Sequence, residues 1–272
     1  MMKRVAFQGE HGAYSESAAI SFFKEKIETI PYPTFADVLN STVKDETDYS
    51  VLPIENSLEG TVGESNDLLY SISLNVIGEK YHKIEHCLIS FGKPDEINTV
   101  YSHPQALGQC RTFIQSHKMK TVPTYDTAGS VEIIKKMNQK DVACIASKNA
   151  SELYQVPIIQ EGIADNSNNY TRFLVLSKTS CSISNRDKTS IIFSIKHEPG
   201  ALHKILENFH NSKVNLTKIE SRPKKNTIWE YNFYVDFEGN KNDEKISSML
   251  EKIKENTSFF KILGSYPMAE LS

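Results

Sequence analysis

The stretch Val5-Ala6-Phe7-Gln8-Gly9-Glu10-His11-Gly12-Ala13-Tyr14-Ser15-Glu16-Ser17-Ala18-Ala19-Ile20 decides the fold class. Val5 to Gln8 reads as a buried strand and Gly9 and Gly12 as the turn after it. Ser15 to Ile20 reads as a helix opened by a serine cap. The pattern then repeats: a strand over 27–32, a helix over 35–43 with Phe35, Val38 and Leu39 on its apolar face, and a strand over 49–52. Strands that alternate with helices predict a largely parallel sheet, with ligands at the carboxyl ends of its strands.

Residues 74–91 alternate like a long extended connection, and a second set of elements follows. It comprises a strand over 99–101, helices over 104–116 and 128–137, a strand over 142–145 and a helix over 148–154. The chain returns through Ile158-Ile159 to Asn169 and a strand over 173–176. Two similar α/β lobes joined by two crossings predict a hinged body with its binding site in the cleft. Lobe 1 covers about 1–76 and 160–178 and lobe 2 about 77–159 of a domain spanning 1–178.

Residues 178–188 are polar and aperiodic, as in a linker. Beyond them come a strand over 190–196, a helix over 199–213, strands over 216–221 and 229–237, a helix over 243–254 and a strand over 260–264. Trp229, Tyr231, Phe233, Val235 and Phe237 alternate strictly. The order βαββαβ within 189–267 predicts a ferredoxin-like α+β sandwich, a fold that does not itself name a function.

Composition narrows the function classes. A net charge of -3 with scattered basic residues gives a nucleic acid little to bind. Met1-Met2-Lys3-Arg4 leads straight into Val5-Ala6-Phe7, and no apolar run reaches membrane-spanning length, so a cytoplasmic protein is expected, without a membrane partner. Cys87, Cys110, Cys144 and Cys181 fall at no metal-ligand or redox spacing. His82 and His86 could share a helix face as metal ligands, but their stretch alternates like a strand. No Walker-type loop or paired-glycine dinucleotide fingerprint occurs, so neither cofactor nor metal is expected.

Five polar clusters fall at expected strand ends or helix starts: Gly12 to Glu16, Pro53 to Ser57, Ser102 to Leu107, Asp126 to Ser130, and Asn169-Tyr170-Thr171-Arg172-Phe173. Each can be a helix cap; together, on the rims of two facing lobes, they suit a small, multiply anionic ligand. Only five of the 31 Lys+Arg residues are arginine, so Arg172 suggests a need for the planar fork that grips a carboxylate, with an ion pair at a strand start as the alternative.

Four of these clusters, at 12–16, 53–57, 102–110 and 169–173, resemble the successive signatures of prephenate dehydratases. Pro199-Gly200-Ala201-Leu202 and Asn215 to Pro223 resemble the ACT regulatory domain of that family. The resemblance covers nearly the whole chain in order, and without a preceding chorismate mutase helix it is to the monofunctional form. It implies a bilobal catalytic domain like a type II periplasmic binding protein, and conversion of prephenate to phenylpyruvate on the way to phenylalanine. L-Phenylalanine would be a feedback inhibitor bound at the ACT domain of a homodimer or homotetramer.

Transferred residue by residue, the resemblance implicates Thr171 in catalysis, with Arg172 as carboxylate anchor. Glu55 and His103 are further candidates to supply the proton, His103 equally a structural cap of the helix that begins at Pro104. Ser15, Asn56, Ser57, Ser102, Gln105, Thr127, Ala128, Asn169 and Phe173 are candidates to bind substrate. Gly200, Ala201, Leu202, Asn215, Leu216, Glu220, Ser221 and Arg222 inherit the effector role, with His203 standing where relatives often carry an apolar residue. Arogenate dehydratase and a noncatalytic two-lobed binding protein are the competing readings.

Overall fold

The computed structural model describes residues 2–224 and 230–271. Two compact units emerge: Met1–Val62 with Lys80–Phe173, and Gly63–Glu79 with Leu174–Ser272. In chain order the elements up to the end of the first unit are β1 (Lys3–Gln8), α1 (Tyr14–Phe23), β2 (Ile27–Tyr32), α2 (Phe35–Val43), β3 (Tyr49–Asn56), β4 (Gly60–Thr61), α3 (Gly63–Ser71), β5 (Asn75–Lys83), β6 (Cys87–Ile89), β7 (Thr99–Ser102), α4 (Pro104–Gln109), α5 (Arg111–Ser116), β8 (Lys120–Pro123), α6 (Gly129–Met137), β9 (Val142–Ala146), α7 (Lys148–Tyr154), β10 (Ile158–Gln160) and β11 (Tyr170–Ser177).

The first sheet runs β2-β1-β3-β11-β5, with β4 on β3, and β1 is parallel to both β2 and β3. The second runs β10-β6-β9-β7-β8. Its β7 is parallel to β8 and β9, while β6 is antiparallel to β9 and β10. The expected parallel character therefore holds at the heart of each lobe, and antiparallel pairs enter where the crossing returns. Wholly buried β9 explains its unbroken apolar run, since a strand covered on both faces needs no alternation.

Four local expectations need correction. Helix α1 begins at Tyr14 with Ala13 as its N-cap and no side-chain cap, so Ser15 lies inside the helix instead of opening it. Residues 74–91 contain β5 and β6 rather than a plain connection. The helix expected over 104–116 breaks at Cys110, whose φ of -114° is not helical and whose side chain is fully buried in the second lobe's core. The supposed linker ends early, because Asp187 and Lys188 open the next strand and are buried.

The second unit carries β12 (Asp187–Ser194), α8 (Ala201–Asn211), β13 (Leu216–Pro223), β14 (Tyr231–Glu238), α9 (Glu244–Glu255) and β15 (Phe259–Pro267). The expected strand over 229–237 starts at Tyr231, and Trp229 lies outside the described residues. Its sheet runs β13-β14-β12-β15, antiparallel throughout. Both helices pack on one face around Ile191, Phe193, Ile205, Phe237, Met249 and Ile253. At about 25 cal/mol per Å² of buried apolar surface, each such side chain contributes roughly 1.5–3 kcal/mol.

Helix α3 belongs to this second unit although in the chain it lies between β4 and β5, far from residues 174–272. Arg222 Nε donates to Asp67 Oδ1 at 3.0 Å. At the other end Lys261 Nζ donates to the carbonyls of Leu69 at 2.9 Å, Tyr70 at 3.1 Å and Ile72, capping the negative end of the helix with an ammonium. The Tyr70 and Phe259 rings stand 4.5 Å apart. Gly264 is required on the neighbouring strand, because a Cβ there would lie 2.1 Å from Val76 O. Lys188 Nζ meets both Glu79 oxygens at 2.7 and 2.9 Å, with side-chain exposures of 2% and 0%.

Candidate active site

A cleft of about 450 Å³ opens within the first unit. The turn and first residues of α1 contribute Gly12, Ala13, Tyr14 and Ser15; β3 contributes Pro53 and Asn56; β11 contributes Thr171 and Phe173. The other lobe contributes His86, His103, Gln105, Gln109, Asp126, Thr127, Ala128 and Ser147. None of the lining residues is Lys or Arg, so an anion held here must rely on backbone N–H groups, helix starts and neutral donors.

Of the candidates read from the sequence, Ser15, Asn56, His103, Gln105, Thr127, Ala128, Thr171 and Phe173 come together on this cleft. Arg172 does not, which corrects its assignment as carboxylate anchor. Successive side chains of a strand point to opposite faces, so Thr171 and Phe173 face the cleft and Arg172 turns away. There it is 3% exposed and donates to Glu55 Oε1 at 3.0 Å. Glu55 is likewise absent from the lining, which corrects its place among the proton donors. The pair tethers β3 to β11, the two strands that carry Asn56 and Thr171.

Ser57, Ser102 and Asn169 also leave the lining, for separate reasons. Ser57 Oγ donates to Asn168 O at 2.8 Å and accepts from Tyr170 N–H at 2.9 Å, stapling the entry to β11. Ser102 Oγ donates to Ile145 O at 2.6 Å and is fully buried. Asn169, also fully buried, holds Asn56 and Gln109 in place. His103 Nδ1 accepts from Gln105 N–H at 3.3 Å, capping α4, and His103 also lines the cleft.

Thr171 has the most directive surroundings. Asn56 Oδ1 accepts from the backbone N–H groups of Leu58 at 2.9 Å and Glu59 at 3.0 Å, so its Nδ2 must be the donor to Thr171 Oγ1 at 3.0 Å. A hydroxyl oxygen committed to accepting has its own proton to give. Sequence reasoning missed Tyr14, His86, Gln109 and Ser147. His86 is 2% exposed, and burial lowers its pKa, countered by its hydrogen bond to Gln109. Burial likewise raises the Tyr14 phenol well above its usual value. Ser147 caps α7 and donates to Gly12 O at 2.7 Å, joining the two sides of the cleft. Tyr14 and Gln109 sit inside or beside quoted motifs, whereas the His82/His86 spacing pointed only to a metal.

In the second unit a smaller cavity of about 340 Å³ is lined by Ile195, Gly200, Ala201, Leu202, Tyr231 and Phe233, with Lys196, His197, Glu198, His203 and Glu230 at its polar parts. Gly200 adopts φ +80°, which favours glycine, as it opens α8. The Ala201 N–H donates to Glu198 O at 3.2 Å. Asn215, Leu216, Glu220, Ser221 and Arg222 do not line this cavity. Asn215 faces Glu238 at 3.3 Å and Arg222 holds Asp67.

Residues 5–181 match the family description "Prephenate dehydratase". A prephenate dehydratase of Methanocaldococcus jannaschii is 38% identical, over 98% of this chain and 99% of its own. Among solved structures, a prephenate dehydratase of Arthrobacter aurescens in complex with L-Phe superposes with a TM-score of 0.88 at 27% identity, over 97% of this chain and 90% of the other. GqqA, described as a novel type of quorum quenching acylase, superposes with a TM-score of 0.89 at 29% identity, over 98% of each chain.

Proposed function

We propose a mechanism and a point of control on one premise: this chain belongs to the prephenate dehydratase family, and it is an enzyme of that activity in phenylalanine biosynthesis. Prephenate loses carbon dioxide and its ring hydroxyl together, and aromatisation drives the step. The protein must hold two carboxylates, assist departure of hydroxide and exclude competing water. Thr171 is the donor to the departing hydroxyl. A threonine hydroxyl is a weak acid, so it acts as a hydrogen bond that strengthens as negative charge grows on the leaving oxygen. The orientation that Asn56 imposes on Thr171 Oγ1 carries this reading.

The carboxylates are bound without a cationic side chain. His103, Gln105, Ser15 and the backbone at Thr127 and Ala128 serve instead, at the starts of α4, α1 and α6. Phe173 and Phe35 offer the ring its apolar wall. The Arg172–Glu55 pair is assigned a positioning role, keeping Thr171 and Asn56 in register.

The second unit is assigned as an ACT domain that senses L-phenylalanine, and the chain as monofunctional. Support comes from its βαββαβ order, the cavity beside Gly200 to Leu202, and the L-Phe complex of the Arthrobacter protein. Tyr231 and Phe233 give an aromatic side chain a wall, and His197, Glu198 and Glu230 give polar contacts. Glu220, Ser221 and Arg222, on edge strand β13, would act from a second subunit of a homodimer or homotetramer. Control then requires L-phenylalanine to bind one arrangement of subunits better than another.

The test is conversion of prephenate to phenylpyruvate by the purified protein, without added metal or nucleotide, with and without L-phenylalanine. Turnover suppressed by L-phenylalanine is expected. Turnover indifferent to it refutes the regulatory assignment alone. A higher kcat/KM for arogenate makes that the substrate, and hydrolysis of an acyl amide in place of either reaction transfers the cleft to acylase chemistry.

A further inference from the structure

His86, weighed above only as half of a metal-ligand pair, is buried and lines the cleft. Its two ring nitrogens end a chain of hydrogen bonds whose direction is fixed from the far side. The backbone N–H groups of Leu58 and Glu59 make Asn56 Oδ1 an acceptor, so Asn56 Nδ2 gives its two hydrogens to Thr171 Oγ1 at 3.0 Å and Asn169 Oδ1 at 2.7 Å. Asn169 Oδ1 being an acceptor, its Nδ2 donates to Gln109 Oε1 at 2.9 Å. Gln109 Oε1 is thus the acceptor facing His86 Nε2 at 2.8 Å, and that nitrogen must carry a hydrogen.

Nδ1 lies 3.0 Å from the Tyr14 hydroxyl, whose single proton is donated to Glu85 O at 2.7 Å. The Nε2–H tautomer is therefore fixed from the Gln109 side alone, with Nδ1 left bare beside the phenol oxygen. Burial of both groups disfavours charge on either and supports this neutral arrangement.

We propose that His86 is a positioning residue for the dehydration: as the Nε2–H tautomer it closes the relay through Gln109, Asn169 and Asn56 that aims the Thr171 hydroxyl at the substrate. The proposal rests on the donor role given to Thr171. Without the Nε2–H donor, Gln109 Oε1 keeps only the hydrogen from Asn169, and its Nε2 only a long 3.3 Å bond to Glu59 Oε1, so the amide is held less firmly. That loosens the partner, Asn169, that shares Asn56 with Thr171.

The test compares His86→Leu, His86→Gln and Thr171→Val with the parent enzyme. His86→Leu is expected to lower kcat by about 10- to 100-fold with KM changed less than about threefold. His86→Gln places an amide N–H near the lost Nε2 and is expected to restore kcat to within about fivefold of the parent. A general loss of structure would not be rescued in this way. In parallel, the ring ¹⁵N shifts of histidine-labelled parent enzyme, with His86 identified by its loss in His86→Gln, should report Nε2 protonated and Nδ1 bare. A near-parental kcat in His86→Leu, a glutamine variant as slow as the leucine variant, or an Nδ1–H tautomer overturns the proposal. Full turnover by Thr171→Val overturns the endpoint of the relay, and is told apart because it leaves the His86 tautomer as described.

Discussion

Thr171→Val exchanges a hydroxyl for a methyl of the same shape on a branched side chain, so β11 and the cleft wall should keep their form. Asn56 Nδ2 loses an acceptor at 3.0 Å but keeps Asn169 Oδ1 at 2.7 Å, and the site is half-buried. The stability cost is therefore about 1 kcal/mol, or about 2–4 °C in Tm. The kinetic cost should be much larger. Removing one preorganised donor to a developing oxyanion costs roughly 2.7–4 kcal/mol, or about 10²–10³ in kcat. KM should stay within about threefold, since the donor matters mainly once charge has built up. Phenylpyruvate formation under saturating and limiting prephenate separates the two constants, and Thr171→Ser, which keeps the O–H, should stay within about tenfold of the parent. A valine variant with kcat within threefold of the parent would refute the donor role, as would a serine variant no faster than valine.

Three further outcomes follow from the geometry. Lys188→Met should destabilise the protein by about 3–5 kcal/mol in urea unfolding, because it strands a buried carboxylate, while adding Glu79→Met should recover most of the loss; equal instability of single and double variants would show that the two charges are not coupled. Arg222→Ala and Asp67→Ala should each cost about 1–2 kcal/mol and the double variant no more than either, whereas additive losses would mean that the pair does not act as a unit. Burial pushes the Cys87 thiol up to about 11 and the Cys110 thiol up to about 12, and raises Cys144 too, so at pH 8 a thiol-reactive disulfide should label half-exposed Cys181 rapidly and the others only on unfolding. The same shifts make native protein hold protons that the unfolded chain releases above about pH 8.5, so stability should be full below that value and fall as pH rises toward the raised values; a flat Tm between pH 9 and 11 would contradict this.

How far the sequence could be read depended on what held each residue. Val5 to Ile20 announced its βα unit because apolar burial, a positive-φ glycine turn and a helix all agree locally. The cleft clusters were legible for the same reason, as side chains at helix starts behave alike in isolation and in context. Arg172 misled because composition says that a fork is needed but not on which face of the strand, and one residue of register reverses the answer. The role of His86 was not legible from its spacing to His82, since its meaning lies in partners 23 residues or more away. Helix α3 was missed because Gly63-Glu64-Ser65-Asn66-Asp67 has little helical preference of its own and depends on Arg222, Lys261 and Phe259 far along the chain.

That dependence limits how the gene could be divided. A protein ended after residue 178 would retain the cleft residues but leave α3 without the guanidinium at Asp67, the ammonium at its last carbonyls and the ring against Tyr70. An N-terminal half and a C-terminal half exchanged between relatives at that point would separate α3 from the residues that hold it. Recombination that preserves function would have to carry residues 63–79 together with the C-terminal unit, so the two parts are inherited as interleaved segments rather than as beads on a string.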